Sequence, residues 1–299
     1  MYKYLSVIFL AFLTQTAVAQ NHKAVVIPFE LTAFNNISIK AIVNGRDTVQ
    51  LMFHTAANSL TLTEEATKRI KNLVFSSTDS VKSWGGNGNA ARFSKSNNLQ
   101  IGSLKWENIP IWENKNSGPE TDGKFGLELF TDKIIEIDFD KKVIVLHTKM
   151  PAKASKYEQL KLTFEDDMMF LTAKAEIGTN VLSNQYLLHS GYSGAVLFDD
   201  EFTAKNKIDG QLKVIDEKQL KDSYGNVLKT KKAILPAFNI GKVKLSNVSI
   251  GFFTGAIGRQ KMSIIGGDLL KRFNIIIDAN RTNIYLKPNK LMGEAFWNG

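Results

Sequence analysis

Leu51-Met52-Phe53-His54-Thr55-Ala56 returns 135 residues later as Tyr186-Leu187-Leu188-His189-Ser190-Gly191. Three further blocks repeat in the same order. Gln100-Ile101-Gly102-Ser103-Leu104 matches Asn239-Ile240-Gly241-Lys242-Val243, Phe125-Gly126-Leu127-Glu128 matches Ile265-Gly266-Gly267-Asp268, and Ile134 to Phe139 matches Asn274 to Ala279, at separations of 139, 140 and 140 residues. Each half then closes on an apolar run, Val143 to Leu146 or Asn283 to Leu286. Four blocks in one order at nearly constant spacing mark an internal repeat. The chain therefore reads as two domain-sized copies of one unit, residues 20–150 and 151–290, with a tail at 291–299 and a junction near Met150-Pro151. Two such lobes would pack with a cleft between them, a favoured place for ligands.

The unit is a β unit. Ile37, Ile39, Ala41 and Val43 recur at period two, as do Val49, Leu51 and Phe53. Ile134–Phe139 and Val143–Leu146 are apolar runs parted by Asp140-Lys141-Lys142, a hairpin signal. Helices are few. The clearest is Thr63 to Lys71, with a capping threonine, acids at its start and bases at its end, in the order the helix dipole favours.

Residues 1–19 stand apart. Lys3 precedes the apolar run Leu5 to Phe12, and Ala17-Val18-Ala19 is a small-residue cleavage pattern, so a cleaved secretory leader is expected. No later stretch is apolar enough for a membrane span. With no cysteine, the core rather than disulfides must hold an exported chain together. The expected location is periplasmic or extracellular. Net charge is +9, but the basic residues are scattered, Lys229, Lys231 and Lys232 being the densest group. Nucleic-acid binding would need a basic stripe or a known motif, and neither is present.

The repeated blocks resemble the retropepsin and pepsin-type aspartic proteases, in particular bacterial aspartyl protease family proteins with two lobes in one chain. The resemblance covers nearly all of residues 25–288 and implies an all-β, bilobal acid-protease fold, two pseudo-symmetric β-barrel lobes around a central cleft, in a monomer, since two lobes in one chain remove the need for the dimer that single-lobe relatives require. In that family each lobe carries Asp-Thr/Ser-Gly after an apolar strand, and later an apolar-apolar-Gly segment. The later segments are present as Lys124-Phe125-Gly126, with lysine at an apolar place, and Ile264-Ile265-Gly266. The Asp loops are His54-Thr55-Ala56-Ala57 and His189-Ser190-Gly191-Tyr192. The resemblance further implies that Thr55 and Ser190 tie the loops together. Gly191 keeps the family's glycine, whereas Ala56 replaces it in lobe one, a strained choice if that position needs φ > 0. Ser83-Trp84-Gly85-Gly86 and, in lobe two, Tyr224 stand where the family has a flap over the cleft. A plain hairpin turn with an exposed tryptophan is the competing reading.

Histidine at both catalytic positions changes the chemistry. Two carboxylates about 3 Å apart share one proton, so that one serves as base while the other donates. Imidazoles are neutral or cationic instead, and two in one place repel when both are charged. The aspartic mechanism should be lost. His147 reads as a structural histidine and His22 lies near the expected mature start. For His54 and His189 three readings stand. The cleft binds an extended peptide or protein partner without cleaving it; the pair ligates Zn or Cu, with no third ligand nameable from sequence; or hydrolysis persists through another acid–base pair.

Overall fold

The computed structural model describes residues 24–83, 86–221, 227–253 and 260–296; of residues 77, 79–83, 86–90, 218–221 and 227–229 it describes the backbone. Among them the strands form one sheet of eight and one of thirteen. The eight-stranded sheet comes wholly from residues 30–125. The larger one takes Val25–Pro28, Ile134–Asp138 and Val143–His147 from the first half and its other strands from the second. The result is two β lobes that share a sheet.

Local chemistry accounts for the elements that matter. Ile37, Ile39, Ala41 and Val43 are buried, and their strand turns back on Asp47–Phe53 through Asn44-Gly45, both at positive φ (51° and 71°). Asn-Gly is the pair that adopts such a turn at least cost. The expected first helix spans Glu64–Arg69, capped by Thr63, whose hydroxyl accepts from Ala66 N–H. It ends earlier than its charge pattern predicts, because buried Ile70 takes an extended conformation.

Two parallel pairings bring the site strands to their places. Asp47–Phe53 lies beside Gly123–Phe125 with Phe53 opposite Phe125. Asn180–His189 lies beside Ser263–Gly266 with His189 opposite Gly266. The crossings are so close that a Cβ on Gly126 would run into the carbonyl of Ala57, and one on Gly266 into that of Gly194. Only glycine fits there, which explains the apolar-apolar-Gly segments. Phe53, Phe125 and Phe130 pack ring to ring behind the first crossing, with centroids 5.5–5.7 Å apart.

The lobes join where Ile134–Asp138 pairs antiparallel with Phe273–Ile277. Glu136 sits opposite Ile276, its own counterpart in the repeat, so a pseudo-two-fold axis passes between them. Glu136 is fully buried and paired with His147 Nε2 (2.8 Å) and with Lys153, which fixes His147 as a structural residue. Asp138 and Asp278 are turn residues. The first accepts from Lys141 N–H, the second from the N–H groups of Thr282 and Asn283. The chain passes between halves through a short 3-10 turn, Ala152–Lys156, after Pro151. No helix among the described residues is long and apolar enough to cross a membrane.

The tail is docked. Leu291, Met292 and Phe296 pack on the main core, and buried Arg272 donates to the carbonyls of Leu291, Met292, Glu294 and Ala295.

Candidate functional site

The two parallel crossings end at His54 and His189, and the histidines meet. Their ring centroids are 4.4 Å apart at an interplanar angle of 61°. His54 is held at the backbone by Phe125, whose carbonyl accepts its N–H at 2.9 Å.

Four hydrogen bonds clamp the loops beneath the rings. Thr55 Oγ1 donates to Leu188 O (2.6 Å) and accepts from Ser190 N–H (3.0 Å). Ser190 Oγ donates to Phe53 O (2.7 Å) and accepts from Thr55 N–H (3.0 Å). Each hydroxyl reaches across the pseudo-two-fold axis to its counterpart's main chain. Asn36 and Asn35 strengthen the join by donating to Ser190 O and Ser193 O, both at 2.9 Å. Lys271 donates in turn to Asn35 Oδ1 (2.9 Å). Thr55 and Ser190 are buried, so removing a hydroxyl leaves unpaired groups in a dry place. Thr55→Val should cost about 2 kcal/mol of unfolding free energy; urea titration measures it, and a loss near zero would mean the clamp does not hold the lobes.

Ala56 is not strained. It is absent from the residues with positive φ and packs against an apolar cluster of the second lobe that includes Leu187, Leu197 and Ile264. The loop conformation suits alanine, so the expected reshaping for lack of glycine does not arise. Gly191 is needed for space instead. A Cβ there would collide with Cδ2 and Nε2 of His54.

The protonation of the pair follows from its contacts. Ala56 N–H donates to His54 Nδ1 at 3.1 Å, so in the neutral ring the proton is on Nε2. Burial, the nearby His189 and the charge of Lys124 hold the His54 imidazole well below its ordinary range. Burial and then Lys124 bring His189 down to about 4, the carbonyl of its own residue opposing the shift. At neutral pH both rings are uncharged. His54 has no free lone pair, since Nδ1 accepts from its own loop and Nε2 carries hydrogen. A ring in that state cannot take a proton from water.

Lys124 is the site residue that sequence reading missed. In the repeat it is the flawed member of an apolar-apolar-Gly segment. In the fold it pairs with Met52, two residues before His54, and its strand alternates buried Gly123 and Phe125 with half-buried Lys124. The signal was present: a lysine at the period-two position on the strand that flanks the histidine strand.

Of the proposed flap, Trp84, Gly85 and Tyr224 lie outside the described residues, and Gly86 is described as backbone pairing with Ser83. A zinc or copper site would need ligands beyond His54 and His189. Among the described residues no three His, Cys, Asp or Glu side chains converge as a ligand set, and a lysine charge beside the pair disfavours a cation.

Comparison with known proteins agrees with this architecture. No curated protein matches the chain by sequence. The aspartic proteinase from Irpex lacteus superposes on it with a TM-score of 0.61 at 12% identity, covering 91% of this chain and 99% of that one. At that identity the likeness is one of fold, and the fold is that of a two-lobed aspartic proteinase. Residues 39–129 match the family described as aspartyl protease, a segment that carries the His54 loop, Lys124 and the Phe125-Gly126 crossing.

Proposed function

We propose that this chain is an exported, catalytically inactive relative of the aspartic proteases that holds an extended peptide or protein partner in the cleft between its lobes, as a monomer. One observation carries the reading. The pair at the head of the two crossings is imidazole on imidazole, and His54 Nδ1 is already occupied by Ala56 N–H. The clamp and the crossings remain, so the cleft keeps its frame while losing the group that would activate water. Extended peptides bind such clefts through main-chain hydrogen bonds to strand edges.

The test is digestion of a broad peptide library from acidic to neutral pH, with and without chelator, beside the double variant His54→Asp/His189→Asp. The natural chain should cleave nothing, and the folded double variant should acquire acid-pH peptidase activity, at least tenfold over background. Cleavage by the natural chain would overturn the inactive reading. If a chelator abolished it, metal at the histidine pair would be the cause. No gain in a folded double variant would mean that the rest of a protease site is not intact.

Export rests on Lys3, the apolar run from Leu5 and Ala17-Val18-Ala19. N-terminal sequencing of the protein recovered from outside the cytoplasm should begin at Gln20. Recovery only inside the cell, starting at Met1, would sink this part of the reading.

A further inference from the structure

One face of the lobe-two sheet packs in the main core and the other does not. Tyr186, Leu188, Val196 and Ile265 belong to that core, whereas their neighbours Leu187, Leu197 and Ile264 form a separate apolar cluster with Phe253. Side chains alternate along a strand, so His189 stands on the same face as Leu187. The register extends this face. Leu187 lies opposite Phe170 on one side and Ile264 on the other, and Ile264 lies opposite Leu197. Met168, Phe170, Tyr192 and Met262 pack over the cluster and are part exposed, and Ala56 of the His54 loop packs on it from lobe one. An apolar patch therefore begins at the histidine pair.

Lobe one has no such patch. By the same registers its counterparts are Ser38, Met52, Lys124 and Thr61. Three of the four are polar. Thr61 is hydrogen-bonded to Asn114 and Ser117, and Ser38 to Gln50. Met52, though buried, joins no apolar cluster.

The lobe-two patch has an acidic rim. Glu165 pairs with Met168 and shares its face, and Asp166 and Asp167 make the turn between them at φ of 50° and 60°. All three acids are exposed, and none has an ion-pair partner among the described residues. Burial, and after it the charge of Asp167, push the Glu128 carboxyl of lobe one up, so the turn lies near that lobe as well. In a chain of 38 bases and 29 acids, this is a locally acidic place beside an apolar one.

We propose that the ligand of this cleft carries a bulky apolar residue next to a basic one. The apolar side chain seats on lobe two's side of the histidine pair, against Phe170 and its neighbours, and the cation meets the turn at Glu165, Asp166 and Asp167. This rests on the peptide-binding reading and names what the bound segment presents. The charge of the rim and the one-sided apolar floor select the occupant together. The thioethers of Met168 and Met262 can repack round side chains of different shape.

The first test needs no peptide. Phenethylammonium, 2-phenylethanol and ethylammonium are titrated into the natural protein at neutral pH while the methionine methyl resonances are followed by NMR, assigned with Met52→Leu, Met168→Leu and Met262→Leu. Phenethylammonium should shift the Met168 and Met262 methyls saturably and leave Met52 unmoved. It should bind about tenfold tighter than ethylammonium, for its ring, and about threefold tighter than 2-phenylethanol, for its charge. The second advantage should vanish in high salt and in Glu165→Gln/Asp166→Asn/Asp167→Asn. No saturable shift, or equal affinity for all three probes, would overturn the proposal. Shifts of the same methyls on concentrating the protein alone would assign the patch to a second copy of the chain and overturn it too.

Blocked peptides then separate this subsite from the reading beneath it. Capped glycine hexapeptides with a central leucine-arginine, serine-arginine or leucine-glutamine pair are compared by calorimetry. The first should bind about tenfold tighter than the second and about threefold tighter than the third. Phenethylammonium binding with no peptide binding would keep the subsite, as one for a small apolar cation, and sink the peptide-binding reading. Peptide binding with neither preference would keep that reading and sink the subsite.

Discussion

Arg272→Leu should lower the unfolding free energy by about 3–5 kcal/mol, the range for breaking a buried ionic network from one side. The guanidinium is fully buried and has no spare donor in reach of water. Nη1 and Nη2 serve four tail carbonyls, Nε donates to Asp268 O at 3.0 Å, Asp268 Oδ1 lies 3.4 Å from Nη2, and the ring of Phe296 lies under the charge at 3.8 Å. Leucine fills part of the space but leaves the carbonyls without donors, so the tail should leave the body. Asp268 would keep Lys271 at 3.1 Å, which limits the damage. Denaturant titration of the variant and of a chain ending at Lys290 separates two roles. Equal losses would mean that Arg272 acts by docking the tail. A larger loss in Arg272→Leu would show that it also supports Asp268, and through Gly266-Gly267 the His189 loop. A loss below about 1 kcal/mol would overturn the assignment.

The second large effect is on pH. In the unfolded chain His189 titrates near 6.5, and in the fold it is brought down to about 4. Between those values the unfolded chain binds the extra proton, so stability rises with pH. The sign is that of a depressed group: the full contribution is present above pH 6.5 and is lost as pH falls towards 4. From His189 alone the loss is about 3 kcal/mol. His54 is shifted in the same direction, and its shift depends partly on the charge of His189, so the two protons enter as a coupled pair rather than as independent sites. Urea midpoints at pH 7 and pH 4 should fall steeply for the natural chain and much less for His54→Gln/His189→Gln. Parallel losses in both would show that carboxylates elsewhere govern the acid limb.

The repeat makes the two lobes, the crossings and the histidine pair legible in the sequence, because each is set by short blocks whose spacing is preserved. What escaped is set by tertiary placement that short blocks do not record. Lys124 looks like a defect in an apolar pattern until its strand is seen beside the histidine strand. Ala56 looks strained until its φ is known, since a backbone angle leaves no mark on residue type alone. The docking of the tail depends on Arg272, which nothing in the local pattern distinguishes from a surface arginine. Asn35 and Asn36 belong to no repeated block, yet they lock the loop that carries His189.

The pairing of Glu136 with Ile276 has a further consequence for handling this chain. A cut at Met150-Pro151 would leave Ile134–Asp138 as a bare edge on one fragment and Phe273–Ile277 as a bare edge on the other. Both edges are rich in isoleucine and buried in the intact protein. Because each strand lies across a two-fold axis from its own copy, the second fragment can offer its strand to a second identical fragment with Ile276 against Ile276, a closing contact, whereas in the first Glu136 would meet Glu136. Uncapped edges of this kind also recruit further chains. Covalent linkage of the halves is thus protection against solubility loss, and expression of one half alone should give symmetric dimers or precipitate rather than a stable single lobe.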